Sequence, residues 1–201
     1  MLNIGLTTMM KQFKAGLVGI ALFAAGGAAD AAIDLHFTPR SQTAEAIEIG
    51  LNISGLGDAA LATYDFNIQF DPTHLAFAGV AFGDPVLGDE LDVFNLGGNS
   101  TAVDVLGPGV LNLFESSLDD AADLQALQAD NFTLAIIRFN VLSSGSSQLD
   151  LLINGLADAG GDGLSANTAS ISVNTVAAVP LPGMVWPMVG GFWVVLRWRR
   201  S

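Results

Sequence analysis

A period-two alternation of apolar and polar residues, repeated in several stretches, most restricts the folds open to this chain. Ile47, Ile49, Leu51 and Ile53 fall on one side of an extended backbone, with Glu48, Gly50 and Asn52 on the other. Tyr64, Phe66, Ile68 and Phe70 alternate with Asp65, Asn67 and Gln69. Leu149, Leu151 and Ile153 repeat the pattern, as do Ile171 and Val173. Successive side chains of a strand point to opposite faces, so such runs predict half-buried antiparallel strands. Less regular strand candidates are Ile33–Phe37, Leu75–Phe82, Leu91–Leu96, Val110–Glu115 and Phe132–Leu142.

Turn-forming clusters separate these runs: 54–58, Gly97-Gly98-Asn99-Ser100, Gly107-Pro108-Gly109 and 143–147. One helix is expected over Asp119–Ala129. Asp119, Asp120 and Asp123 suit its positive N-terminal end, and Leu124 with Leu127 supplies a small apolar stripe. About nine short strands and one helix define an all-β sandwich in a single domain over 33–176.

Charge narrows the partners. The domain holds 19 of the 20 acidic residues and only two of the seven basic ones, Arg40 and Arg138, a net charge of about −17. Such a field repels nucleic acid and anionic lipid and favours cations or a basic partner. The chain has no cysteine, so neither a disulfide nor a thiolate metal site supports the fold.

Both ends have the character of targeting segments. From Met9 or Met10 the chain presents Lys11 and Lys14, an apolar run from Ala15 to Ala25, and a small-residue exit. That is the form of a secretory signal peptide over residues 1–32, the first eight or nine residues coming from an upstream start. Ala29-Asp30-Ala31 has the A-x-A form, which predicts cleavage after Ala31 or Ala32. At the other end, Val176 to Leu196 carries no charge, close to the roughly 20 residues that cross a bilayer. Trp186 and Trp198 suit its interfaces, and Arg197, Arg199 and Arg200 act as a cytoplasmic membrane stop.

Val179-Pro180-Leu181-Pro182, the apolar stretch after it and the terminal arginines together resemble the PEP-CTERM sorting signal of Gram-negative bacteria, here over 177–201. Leu181 stands where that family most often has Glu. The resemblance implies processing by an exosortase, a transient inner-membrane intermediate, and delivery to the cell surface or to an extracellular matrix of exopolysaccharide and biofilm. A plain tail anchor is the alternative.

Tyr64-Asp65-Phe66-Asn67-Ile68-Gln69-Phe70-Asp71-Pro72, followed by Leu75 to Val80, looks like the early strands of cohesin-type domains. Phe132 to Phe139 looks like a later strand of the same type. The similarity spans roughly 33–176 and includes Gly83-Asp84-Pro85-Val86-Leu87-Gly88-Asp89, a segment seen in exported proteins with this sorting tail. It implies a cohesin-like jelly-roll sandwich. Carbohydrate-binding modules share related sandwiches, so fold by itself does not choose the ligand.

Chemistry is sparse. The two histidines, His36 and His74, are expected at the surface without partners. No phosphate loop, H-E-x-x-H or G-x-S-x-G motif is present. No catalytic residues are assigned, and an enzyme is not expected. Acidic loops are the most suggestive feature: Asp84, Asp89, Glu90 and Asp92 in one, Asp158 and Asp162 in another. Flexible carboxylate loops suit calcium, although neither follows D-x-D-x-D-G. Simple solvated acidity is the competing account. Phe77, Phe82, Phe94 and Phe114 are expected in the core, and Tyr64 on an inward stripe, which leaves few aromatic platforms for sugar. The sequence therefore predicts a non-enzymatic surface adhesion module with a protein partner. Polysaccharide binding by the same fold is the alternative.

Overall fold

The computed structural model describes residues 32–176. The proposed leader, with Ala29 and Ala31, lies outside the described residues. So do Val179–Pro182 and the terminal arginines. Ala32 is the first described residue.

Ten strands and one helix follow in order: β1 (Ile33–Gln42), β2 (Ala46–Ser54), β3 (Leu61–Gln69), β4 (Leu75–Phe82), β5 (Asn99–Gly107), β6 (Val110–Ser117), α1 (Ala121–Leu127), β7 (Phe132–Val141), β8 (Gly145–Asp158), β9 (Ala166–Ala169) and β10 (Ile171–Thr175). They form two five-stranded sheets, ordered β4-β7-β2-β1-β9 and β10-β8-β3-β6-β5. Every pairing is antiparallel except that of β1 with β9.

The alternation predicts the facing. Ile47, Ile49, Leu51 and Ile53 of β2 are buried, as are Tyr64, Phe66 and Ile68 of β3. With Leu35, Leu111, Leu113, Ile137, Phe139 and Leu149 they fill the single core between the sheets. Tyr64 and Phe66 stack with ring centroids 4.9 Å apart, while Phe70 meets Phe139 edge-on at 5.0 Å.

Several expectations need correction. Ten strands replace about nine, because β5 and β9 were not anticipated. Leu91–Leu96 is not a strand: Asp92 accepts from the N–H groups of Leu96 (2.9 Å) and Gly97 (2.7 Å), and Asn95 and Gly97 adopt φ of 52° and 75°. Those bonds close a turn and leave no backbone for a ladder. The helix is shorter than Asp119–Ala129, since Asp120 and Gln128 are already extended. Phe77 and Phe82 pack on the core, but Phe94 is exposed in the β4–β5 loop and Phe114 lies on the outer face of β6. His74 is not partnerless. Its Nδ1 lies 2.8 Å from the Ser143 hydroxyl and its Nε2 lies 3.9 Å from Asp71. Among the described residues, no helix is long and apolar enough to cross a membrane.

Candidate binding surfaces

The first candidate surface is the outer face of the β10-β8-β3-β6-β5 sheet. Since Phe66 and Ile68 point inward, Asp65 and Asn67 must point out, and register sets them against Asn112 of β6 and the β8 strand. Asn112 donates to Asp65 Oδ1 at 2.6 Å and to Asn67 Oδ1 at 2.9 Å. Asn154 donates to the same Asp65 oxygen at 3.0 Å. Thr63 and Ser116 share a hydroxyl contact at 2.8 Å one step along. The result is an array of amides, carboxylates and hydroxyls, with Asp104 opposite Asn112 in register and Phe114 and Leu152 among its apolar points. Its side chains already hold one another in place, so less rotamer freedom is lost when a ligand binds.

The opposite outer face, on β4-β7-β2-β1-β9, carries both arginines. Arg40 reaches from β1 to the β4–β5 loop and pairs with Asp84 at 2.9 Å. Gly50 makes this crossing feasible: a Cβ there would meet Arg40 Cδ at 3.3 Å and Thr38 Oγ1 at 3.1 Å.

The β4–β5 loop holds the four carboxylates read as calcium candidates, and the structure gives each a different task. Asp84 Oδ1 accepts from the Val86 and Leu87 N–H groups at 2.9 and 3.2 Å. The Val86 N–H, with that of Leu87 and the Arg40 guanidinium, holds the Asp84 carboxyl below the usual carboxylate range against opposing burial. Asp89 accepts from the Leu91 N–H and from Asn99. Glu90 Oε2 accepts from the Ala129 N–H at 2.9 Å, and Asp92 binds Leu96 and Gly97. Burial pushes the Asp92 carboxyl up, but N–H donors from Leu96, Gly97 and Gly98 outweigh it and lower the pKa. Among the described residues no group of three or more His, Asp or Glu side chains is placed to hold a metal ion. In the other acidic loop, Asp158 Oδ1 accepts from the Gly160 and Asp162 N–H groups at 2.9 and 2.8 Å.

Glu115 was missed altogether. It is fully buried, with Oε2 accepting from Tyr64 Oη at 2.8 Å and Oε1 from Asn99 Nδ2 at 2.7 Å. The same Asn99 amide donates to Asp89 at 2.7 Å. Burial lifts the Glu115 pKa to about 8, and Asp89 adds to the rise against the opposing donors Tyr64 and Asn99. A signal was present. Leu111, Leu113 and Glu115 share one side of the alternation, which places a carboxyl on the core face.

Ser143 meets His74 Nδ1 at 2.8 Å but donates its own proton to the Thr73 carbonyl at 2.7 Å, so the hydroxyl accepts from the imidazole and is not activated as a nucleophile. The two facing sheets define a cohesin-type β-sandwich. No protein-family model matches the chain, and comparison with curated proteins finds no sequence match. Solved structures do resemble it. The sixth cohesin of scaffoldin B from Acetivibrio cellulolyticus, solved in complex with a Cel5 dockerin mutant, superposes with a TM-score of 0.56 at 15% identity, covering 72% of this chain and 99% of that one. The non-cellulosomal cohesin of the hyperthermophilic archaeon Archaeoglobus fulgidus gives 0.52 at 15% identity, over 73% and 93%. A cohesin module from a family 33 glycoside hydrolase of Clostridium perfringens gives 0.54 at 13% identity, over 74% and 99%. At these identities the likeness establishes the fold alone.

Proposed function

We propose that this chain is a non-enzymatic, exported binding module that holds a protein partner at the cell surface or in an extracellular matrix. The observation that carries the reading is the cohesin fold. Solved structures with this sandwich include cohesin–dockerin complexes, in which the domain engages another protein. The outer face of the β10-β8-β3-β6-β5 sheet supports it, being pre-ordered by its own hydrogen bonds and, among the described residues, without a Lys or Arg. In this reading the leader is cleaved near Ala29, Ala31 and Ala32. An exosortase then acts near Val179-Pro180-Leu181-Pro182, while Arg197, Arg199 and Arg200 hold the inner-membrane intermediate. A Gram-negative, biofilm-forming source is part of the same reading.

The amide–carboxylate array of Asp65, Asn67, Asn112 and Asn154 favours a second reading, polysaccharide binding, because such groups also match sugar hydroxyls. Capture separates the two. Culture supernatant from the source organism is passed over immobilised protein with calcium, then eluted with chelator. One or a few stoichiometric proteins support adhesion, and polysaccharide without stoichiometric protein overturns it in favour of the second reading. Elution by chelator would show that calcium takes part in the contact, on this chain or on the partner.

A further inference from the structure

The loop between β4 and β5, residues 83–98, holds apolar side chains in water. Val86, Leu87 and Leu96 are 86, 82 and 83% exposed. Leu118, whose N–H bonds the Gly98 carbonyl at 2.6 Å, is 72% exposed, and Phe94 also faces solvent. Scattered exposed leucines would mean little, but these sit on a segment braced from within. Asp84 fixes the backbone of Val86 and Leu87, Asp92 fixes that of Leu96, and Asp119 Oδ2 accepts from the Val93 N–H at 3.0 Å. The Arg40–Asp84 pair and the Asp89–Asn99 bond tie the whole loop to both sheets. A loop ordered this firmly loses little freedom on binding.

The field around the loop selects the occupant. Asp89, Glu90, Asp92, Asp119, Asp120 and Asp123 lie in or beside it. Of the two arginines among the described residues, Arg40 is engaged by Asp84 and Arg138 sits on the outer face of β7. A second copy of a domain with a net charge near −17 is repelled, and so is an anionic lipid surface.

We propose that loop 83–98, together with Leu118, is a docking surface for a protein segment presenting apolar side chains flanked by Lys or Arg. This surface uses other residues than the outer sheet face, which it adjoins where Gly98 and Leu118 continue the β5–β6 pairing, and does not depend on how that face is used. Anionic rim and cationic segment supply steering and orientation, while Val86, Leu87 and Leu96 supply the contact.

Three labelled peptides of equal length test this against the full chain: alternating Leu/Lys, Leu/Glu and Ser/Lys. The Leu/Lys peptide is expected to bind at least about tenfold tighter than either other, and to weaken as salt rises to about 0.5 M. The double variant Leu87→Asp, Leu96→Asp should lose about tenfold, whereas Leu142→Asp, an exposed leucine on the far pole, should not. All three side chains are exposed, so circular dichroism should report an unchanged fold. Equal binding of Ser/Lys and Leu/Lys, or undiminished binding by the double variant, overturns the proposal.

Discussion

Tyr64 donates its phenolic proton to Glu115 Oε2 at 2.8 Å in the closed interior of the sandwich, although 51 positions separate the two residues. The bond leaves one of the few buried polar clusters of the domain fully satisfied. It also makes the cluster depend on protonation, because burial holds the Glu115 carboxyl up to about 8.

The first prediction concerns alkaline pH. An acid whose folded pKa is raised binds a proton that the unfolded chain has already released. Its stabilisation is therefore complete below the unfolded value, 4.5, and is lost as pH rises through about 8. Urea unfolding at pH 5 and pH 9 should differ by a few kcal/mol, with the protein less stable at pH 9. Glu115→Gln should flatten that slope. An unchanged slope in the variant would assign the effect to other groups.

Acid should act in the opposite sense. The Asp84 and Asp92 carboxyls are held below 3.8, so their contribution is present above that value and is lost as pH falls through the lowered one. A stability maximum near pH 5 is expected, between the two limbs. Thermal melts from pH 2 to pH 9 would locate it.

The Arg40 strap makes a local prediction. Arg40→Ala removes the pair with Asp84, which is partly exposed, so the global cost should be no more than about 1 kcal/mol. Loop 83–98 should nevertheless exchange its amides faster than the rest of the domain. Gly50→Val, whose side chain would displace Arg40, should reproduce the effect. Unaltered exchange in both variants would show that the carboxylate–amide bonds alone order the loop.

Gly109 tests the β5–β6 turn. Its φ is 74°, and a Cβ there would run into the Phe70 carbonyl oxygen and Pro72. Gly109→Ala should destabilise by about 1–3 kcal/mol. Gly97→Ala, with similar φ of 75° but open space around it, should cost only about 1 kcal/mol. Equal losses in urea midpoints would mean that backbone strain, rather than the close approach, dominates.

The processing reading predicts a defined mature form. Mass spectrometry of the surface protein should find an N-terminus at Ala32 or Ile33 and no peptide beyond about Pro182. An intact apolar tail would leave a plain membrane anchor in place of exosortase sorting.

Legibility varied with locality. The strands β2 and β3 could be read residue by residue because a half-buried strand writes its burial into every second position. β5 could not: most of Asn99–Gly107 is exposed at a sheet edge, so no alternation marks it. β9 is four residues long and exists through its parallel ladder with β1, which no local pattern encodes. The carboxylates of loop 83–98 were visible as a cluster, but not their separate tasks. Those depend on which N–H groups the folded backbone leaves within reach.

By itself, the sequence determined the all-β class, the inward faces of the long strands and the strongly acidic balance of the domain. These follow from composition and from the two-residue period of extended chain, which are local quantities. Only the tertiary structure decided that Arg40 of β1 meets Asp84, that Asn99 stands between Asp89 and Glu115, and that Leu87 and Leu96 remain in water. The first two depend on where sheet order and register bring a strand beside the β4–β5 loop, and the third on which side chains the packed sheets leave uncovered. A side chain records which face it occupies, but not which neighbour the fold will bring to it.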